Sequence, residues 1–364
     1  MCTACQSQQS LASKFLEHLG NGVVSTSLPL RSPGEPADPD GNSQFAGQAS
    51  TAKRILDTPG FPQPVPKPAG GAPACEVRQT NDMGLGVFAT RVINEGELVL
   101  AERPLLVVPT FTLMLNNSYV NGQKLTDANV KSVVEKSIEY FKDVVEKMEP
   151  DMKEKYQSLT LGNFNEGGCR EMAILQNNAY NTHVIFDGMK ETPEDVYGAV
   201  SNIGSRINHS CRPNVEQDFD LKSFSLTFRA ARRIERGEQI FATYVGLILS
   251  TAERQAKLAR YGIICKCAAC VKAPQSDKIR TQIVQRIDHL LDLAKEASEQ
   301  KALSKKHLDL FAKLLQDMVD EGMQADPYYI RWLRHVMGMA AYVGAKDMAD
   351  QFKEEYARRT KPFC

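Results

Sequence analysis

The sequence has no surplus of positive charge: 44 Lys and Arg face 44 Asp and Glu in 364 residues. Proteins that grip nucleic acid by its phosphates usually show a basic excess, so direct nucleic-acid binding is not expected, although a local patch stays open. No apolar run reaches the ~18 residues of a membrane span. The first twenty residues lack a basic start followed by an apolar stretch, so no secretory signal is expected. A prenylation box needs its cysteine four from the end, whereas Cys364 is the last residue.

The nine cysteines are an odd number, and without an export signal they argue against a disulfide framework. Clustered cysteines then point to metal or redox chemistry. Ten of the 18 prolines fall before residue 74, in segments such as "LRSPGEPADPDG" and "GFPQPVPKPAGG". Such composition predicts a disordered region over 1–73, with a short amphipathic helix around Leu11 to Leu19. From Cys75 the pattern changes. "CEVRQT", "GVFATRVI" and "ELVLAERPLLVVP" read as strands. Val130, Val133, Val134, Ile138, Phe141, Val144, Val145 and Met148 form a helical stripe, with Asp127 at its start and Pro150 after its end. A second short helix is expected near Lys153 to Leu161. "EMAILQNNAYNTHVIF" reads as a helix running into a strand, and "SFSLTFRAARRI" and "QIFATYV" as strands. Beyond Lys278 four apolar stripes predict antiparallel helices. They run through Ile283, Ile287, Leu290 and Leu291; through Leu308, Phe311, Leu314, Leu315 and Met318; through Tyr329, Ile330, Leu333 and Met337; and through Met348, Phe352 and Tyr356.

Four short motifs could carry chemistry. In "CKCAAC", Cys265, Cys267 and Cys270 place three thiols within six residues, which suits tetrahedral zinc but leaves one ligand missing. Cys211 is the expected fourth, since only Cys75 and Cys169 compete in the patterned part of the chain. The plainer reading is three unrelated buried cysteines. "MGLGVFA", residues 83–89, holds two glycines between strands. It lacks the third glycine and following helix of a dinucleotide fingerprint, so alone it is a tight turn that lets a ligand approach the backbone. "NHSCRPN", residues 208–214, puts a histidine two residues from a cysteine, which suggests either a metal site or a thiol nucleophile. "GEQIFATYV" ends on a strand with Tyr244, by itself an ordinary β-sheet tyrosine. Cys2 and Cys5 form an isolated pair in the proline-rich region and read as exposed thiols. The remaining histidines have no metal-like spacing.

The order of these motifs is more specific than any one of them. A G-x-G turn, then N-H-S-C-x-P-N, then G-E-x-I-x-x-x-Y, then C-x-C-x-x-C resembles the SET-domain protein lysine methyltransferases over roughly Cys75 to Cys270. The post-SET cysteines make it most similar to the SMYD group and related fungal SET proteins. The resemblance implies an α+β fold: a β-clip of short sheets with a knot-like core over 74–247, a helical insertion at 110–170, a post-SET zinc segment at 248–273 and a C-terminal helical domain at 274–364. It implies S-adenosylmethionine as cofactor, bound by Met83, Gly84, Leu85, Gly86, Asn178, Asn208, His209 and Ile263. Tyr180, Arg206, Ile207 and Tyr261 would line the lysine channel, and Tyr244 would be the catalytic tyrosine. Cys211, Cys265, Cys267 and Cys270 would hold a structural Zn2+. The substrate would be a lysine of a histone or non-histone protein, and the chain a monomer in the nucleus or cytoplasm.

Three departures qualify the resemblance. Met83 stands where the SMYD pattern often has Arg or Lys. Ile263 stands where an aromatic often covers the adenine, at a cost of about 0.5–1.5 kcal/mol of stacking. Residues 110–165 carry no cysteine, so the MYND finger is missing. Two other classes remain: a SET-fold protein without catalysis, acting as a zinc-stabilised interaction module, and a thiol hydrolase using Cys211 and His209. The second conflicts with Cys211 as a zinc ligand, because a metal-bound thiolate is not free to attack an acyl group.

Overall fold

A computed structural model describes residues 22–31, 36, 38–109, 119–120, 123–124, 127–163, 169–187, 196–299 and 302–360. The described residues form four short sheets and ten helices, a mixed α+β architecture consistent with a SET fold. The chain divides into two compact units: Met1–Lys67 with Ala101–Arg206 and Asp218–Thr227, and Pro68–Leu100 with Ile207–Gln217 and Phe228–Cys364. The stretch 74–247, expected to be one domain, therefore contributes to both. The insertion's helices share one apolar core with the flanking strands, which fall in the same unit. No helix among the described residues is long and apolar enough to cross a membrane.

The first unit is built on a five-stranded sheet in the order Val23–Leu28, Ser43–Gln48, Leu106–Pro109, Val196–Val200, Ala179–Phe186. The pairing of Ser43–Gln48 with Leu106–Pro109 is parallel and the others are antiparallel. Helices Asp127–Glu146, Pro150–Gln157 and Arg170–Asn178 bring Phe141, Val144, Val145, Met148, Tyr156 and Ile174 into one core with Leu106, Val108 and Val200. The long stripe and the helix-to-strand transition at Asn178 lie where the sequence predicts them. "ELVLAERPLLVVP" instead forms two strands, Leu98–Glu102 and Leu106–Pro109, because Arg103 and Pro104 interrupt the run.

The expectation of disorder over 1–73 is wrong for the described part of that region. Val23–Leu28 and Ser43–Gln48 are strands and Ala49–Leu56 is a helix. The prolines bracket a stretch from residue 40 to 58 that contains none, and it can bury Phe45, Ala46, Ala49, Ala52, Ile55 and Leu56. Gly47 is required there. A Cβ would lie 2.1 Å from the hydroxyl of Tyr197, whose ring stacks on Phe45 at 5.5 Å. Arg103 holds the segment by its guanidinium, only 2% exposed: it pairs with Asp38 at 2.8 Å and donates to the carbonyls of Gly41, Gln63 and Ser223. The expected helix at Leu11 to Leu19, and Cys2, Cys5 and Cys364, lie outside the described residues.

The second unit has a four-stranded sheet in the order Asn208–His209, Gln239–Ala242, Leu85–Ala89, Cys75–Gln79. The first pair is parallel, with Asn208 opposite Phe241 and His209 opposite Ala242. The four C-terminal helices, Ala273–Glu299, Lys305–Asp320, Pro327–Tyr342 and Lys346–Thr360, follow the four predicted stripes. Ile283, Leu308, Phe311, Leu314, Met318, Trp332 and Leu333 are buried together, and Phe311 stacks on Trp332 at 4.6 Å. Leu291, placed on the first stripe by spacing, instead faces outward at 37% exposure. Arg280 joins these helices to the motif loop within the same unit. Its buried guanidinium pairs with Glu321 at 2.9 Å and donates to the carbonyl of Cys211 at 2.8 Å.

Replacing Arg103 by Met removes a buried cation from an acceptor cage and leaves three carbonyls without their donor. Breaking a buried pair from one side costs about 3–5 kcal/mol. Arg103→Met is expected to lose stability on that scale in denaturant titration and to become sensitive to protease within 22–67. Wild-type resistance there would show that Arg103 does not hold the segment.

Candidate active site and metal centre

Within the second unit, the ligand atoms of Cys211, Cys265, Cys267 and Cys270 all lie within 4.8 Å of one another. The Cys211 sulfur is 4.0 Å from that of Cys265 and 3.6 Å from that of Cys270. These are not disulfide distances. They straddle the ~3.8 Å edge of a tetrahedron with metal–sulfur bonds of about 2.3 Å. The elements around the thiols set this spacing. Cys267 opens the short helix Ala268–Val271, which carries Cys270. The Gln255 side-chain amide clips Cys265, donating to its carbonyl at 2.7 Å and accepting from its N–H at 3.1 Å. Contacts with Cys265 and Cys267, together with burial, push the Cys211 thiol above the ordinary cysteine range. A cation would relieve that cost by stabilising thiolates. The donor set, its closure and its spacing therefore fit a structural zinc ion.

A positive side chain that sequence spacing does not reveal lies beside the cluster. Arg254 sits on the helix Thr251–Ala259, whose start is fixed by a capping box between Ser250 and Glu253. Its side chain is fully buried, and its Nε has no hydrogen-bond partner. Burial alone would lower the Arg254 guanidinium, but the Cys211 and Cys270 sulfurs outweigh it and hold it above the usual arginine value. A buried cation here would offset part of the negative charge of thiolates in this cluster.

Tyr244 follows the strand Gln239–Ala242 and packs against the cysteine cluster with Tyr261 and Ile263. Its hydroxyl donates to the carbonyl of Ile207 at 2.6 Å. Its ring lies 5.4 Å from the His209 ring and 5.4 Å from that of Tyr261. The Arg260 guanidinium covers the Tyr261 ring at 4.5 Å. Burial pushes the Tyr244 phenol well above the ordinary tyrosine range, so it stays protonated at neutral pH. His209 is 5% exposed and both its ring nitrogens are engaged: Nδ1 accepts the backbone N–H of Tyr244 at 3.0 Å, and Nε2 lies 3.3 Å from the Cys211 sulfur. Burial lowers its pKa to about 4, so the ring is neutral. The resemblance assigns His209 to the cofactor; within the chain its imidazole contacts Tyr244 and Cys211.

The glycine turn is closed by Thr80. The Thr80 hydroxyl accepts the N–H of Met83 at 2.8 Å and donates to the carbonyl of Gly84 at 2.8 Å. Those two backbone groups are thus used inside the turn. Gly84 has φ +67° with open space beside it, and Gly86 has none to spare. A Cβ on Gly86 would lie 2.6 Å from Gln239 Nε2, 2.8 Å from Thr80 Cγ2 and 3.0 Å from Asn208 Nδ2. Asn208 Nδ2 donates to the carbonyl of Leu85 at 3.0 Å, joining the N-H-S-C segment to the turn. Gln239 Nε2 is buried without a partner. A glycine cradle with an unpaired buried amide beside it is compatible with a polar cofactor such as S-adenosylmethionine.

The other expected site residues belong to the first unit and gather there. Tyr180 donates its hydroxyl to the carbonyl of Gly204 at 3.1 Å, and the Ser205 hydroxyl donates to the carbonyl of Asn178 at 2.9 Å. Glu102 anchors the same turn by accepting the N–H groups of Ile203 and Gly204. Arg206 donates to the Asn202 carbonyl and the Ser158 hydroxyl. Asn178 is buried, and its Nδ2 donates to the carbonyls of Thr160 and Ile174, each at 2.7 Å, while its Oδ1 has no partner. Its amide nitrogen therefore serves the fold.

Residues 84–245 match the pattern of the SET domain. The chain is 39% identical over 80 residues to the histone-lysine N-methyltransferase set5 of Schizosaccharomyces pombe, covering 22% of this chain and 25% of that protein. It is 27% identical over 215 residues to a putative SET domain-containing protein of Acanthamoeba polyphaga mimivirus, covering 56% and 79%. It is 24% identical over 178 residues to the N-lysine methyltransferase SMYD2-A of Xenopus laevis, covering 43% and 41%. The chain thus spans about a quarter of the first of these relatives and under half of the third.

Two substitutions probe this geometry. Gly86→Ala forces Asn208 or Gln239 aside and is expected to cost about 1–3 kcal/mol, measured by denaturant titration; an unchanged midpoint would refute the tight fit. Cys211→Ser is expected to reduce bound zinc in purified protein from one equivalent towards none, by atomic emission. Unchanged stoichiometry would remove Cys211 from the ligand set.

Proposed function

We propose that this chain, whose residues 84–245 match the SET domain, is an S-adenosylmethionine-dependent protein lysine N-methyltransferase, acting on a histone or another protein. The names of the relatives, histone-lysine and N-lysine methyltransferases, support the reaction class. The observation that carries the reading on this chain's own residues is the Tyr244 hydroxyl, fixed on the Ile207 carbonyl immediately before Asn208 and His209 and walled by Tyr261.

S-adenosylmethionine, when bound, supplies a methyl group on a sulfonium sulfur. The lysine amine must be neutral to offer its lone pair. Tyr244 is held protonated and so is no base near neutral pH; the amine proton leaves to solvent. What Tyr244 and the Ile207 carbonyl contribute is a fixed polar wall, which can align an amine and hold a polarised methyl by weak C–H···O contacts. Tyr261 and Ile263 supply an apolar flank that limits water. Alignment of this kind is lost steeply with displacement, ~100-fold for an ångström. Cys211, Cys265, Cys267 and Cys270 would hold a zinc ion in a structural role, fixing the loop that carries Asn208 and His209.

One observation favours a second reading, a SET-fold interaction module without catalysis: the side-chain amide nitrogen of Asn178 and the His209 ring, both expected at the cofactor, are committed inside the protein. Cofactor binding separates the two. At 100 times its Kd a ligand stabilises the folded state by about 2.7 kcal/mol. The methyltransferase is expected to melt higher with millimolar S-adenosylmethionine, and the module is not.

The direct assay is transfer of labelled methyl from S-adenosylmethionine to histones and to proteins of a cell extract. Tyr244→Phe removes only the hydroxyl and is expected to slow transfer ~100-fold. Equal rates in wild type and mutant would contradict the role given to Tyr244.

A further inference from the structure

We infer that His209 is a positioning residue that couples the four-cysteine centre to Tyr244 through one bond from its ring to each. The catalytic half of this inference rests on the methyl-transfer reading above; the coupling itself does not. The argument starts from the two nitrogens of one buried ring. Nδ1 lies 3.0 Å from the backbone nitrogen of Tyr244, which can only donate. Nδ1 is therefore the acceptor, and in a neutral imidazole the proton must then sit on Nε2. Nε2 lies 3.3 Å from the Cys211 sulfur, so the second contact is an N–H···S hydrogen bond. The tautomer is fixed by the tyrosine backbone, and the sulfur receives the proton donor that results.

The bridge joins two things that nothing else among the described residues hydrogen-bonds together: the sulfur of Cys211 and the backbone of Tyr244, 33 positions further along the chain. Tyr244 and Tyr261 also pack against the cysteines, but the remaining polar tie of Tyr244, its hydroxyl on the carbonyl of Ile207, does not involve a sulfur. Nor is the link redundant with the sheet. The parallel pairing of His209 with Ala242 and the bond from the N–H of Ser210 to the carbonyl of Ala242 align the two strands. They end before Tyr244, whose N–H is held by the imidazole.

The two bonds can be cut separately, because asparagine and glutamine each reproduce one nitrogen. In His209→Asn the amide reaches the Nδ1 position and can still accept from Tyr244, but nothing reaches the sulfur. In His209→Gln the amide reaches the Nε2 position and can still donate to the sulfur, but nothing accepts from Tyr244. Two readouts on the zinc-loaded full chain are independent of activity: the rate of zinc release to a chromogenic chelator, and hydrogen exchange at the Tyr244 amide. His209→Asn is expected to release zinc about 10–100-fold faster, with the Tyr244 amide still protected. His209→Gln is expected to release zinc at close to the wild-type rate, with the Tyr244 amide exchanging at least tenfold faster. In methyl transfer, His209→Gln should lower kcat with KM little changed. Wild-type zinc release in His209→Asn, or wild-type protection of Tyr244 in His209→Gln, would show that the ring only fills space and would overturn the coupling. Absence of transfer by the wild-type chain would remove the proposed activity, while the zinc and exchange data would still decide the bridge.

Discussion

The second unit depends on one loop meeting two neighbours at once. Cys211 is 54 residues from Cys265, yet their sulfurs are 4.0 Å apart. Closing a loop of that length costs chain entropy that weak contacts at its ends must offset. Four thiols at tetrahedral spacing would do so with a cation between them, because uncompensated thiolates repel and protonated thiols bond weakly. The same loop carries Asn208, bonded to the glycine turn, and Ile207, whose carbonyl takes the Tyr244 hydroxyl. Arg254 and Arg280 support the same loop, one by its charge beside the sulfurs and the other by its bond to the Cys211 carbonyl.

This arrangement clarifies why a histidine and a cysteine stand two residues apart in "NHSCRPN". The cysteine faces the three other thiols, and the histidine contacts its sulfur with one nitrogen while accepting from the backbone of Tyr244 with the other. A thiol hydrolase would need the Cys211 sulfur available for attack, and here it is buried among three other thiols.

Much of the architecture was legible because it is periodic. The C-terminal stripes and the stripe ending at Met148 map onto helices, since a 3.6-residue repeat of large apolar side chains has one way to bury itself. The cysteine cluster was legible because its spacing is the one a tetrahedral metal site asks for. Proline content misled over 22–73: it reports where strands and helices stop, and says little about a proline-free run between the stops. Partners of single polar groups were not legible. Arg254 and Arg103 look like surface charges until the fold buries them, and the double engagement of His209 depends on the backbone of a residue 35 positions away. Asn178 shows the converse, a residue matching a functional pattern whose amide nitrogen the fold itself consumes.

The central claim is that four thiolates around one zinc ion hold the motif loop in place. X-ray absorption at the zinc edge of the purified chain tests it most directly. The account requires four sulfur neighbours at about 2.3 Å and no nitrogen or oxygen in the first shell. A shell with fewer sulfurs, or with an imidazole nitrogen from His209, would contradict both the clamp and the bridge built on it.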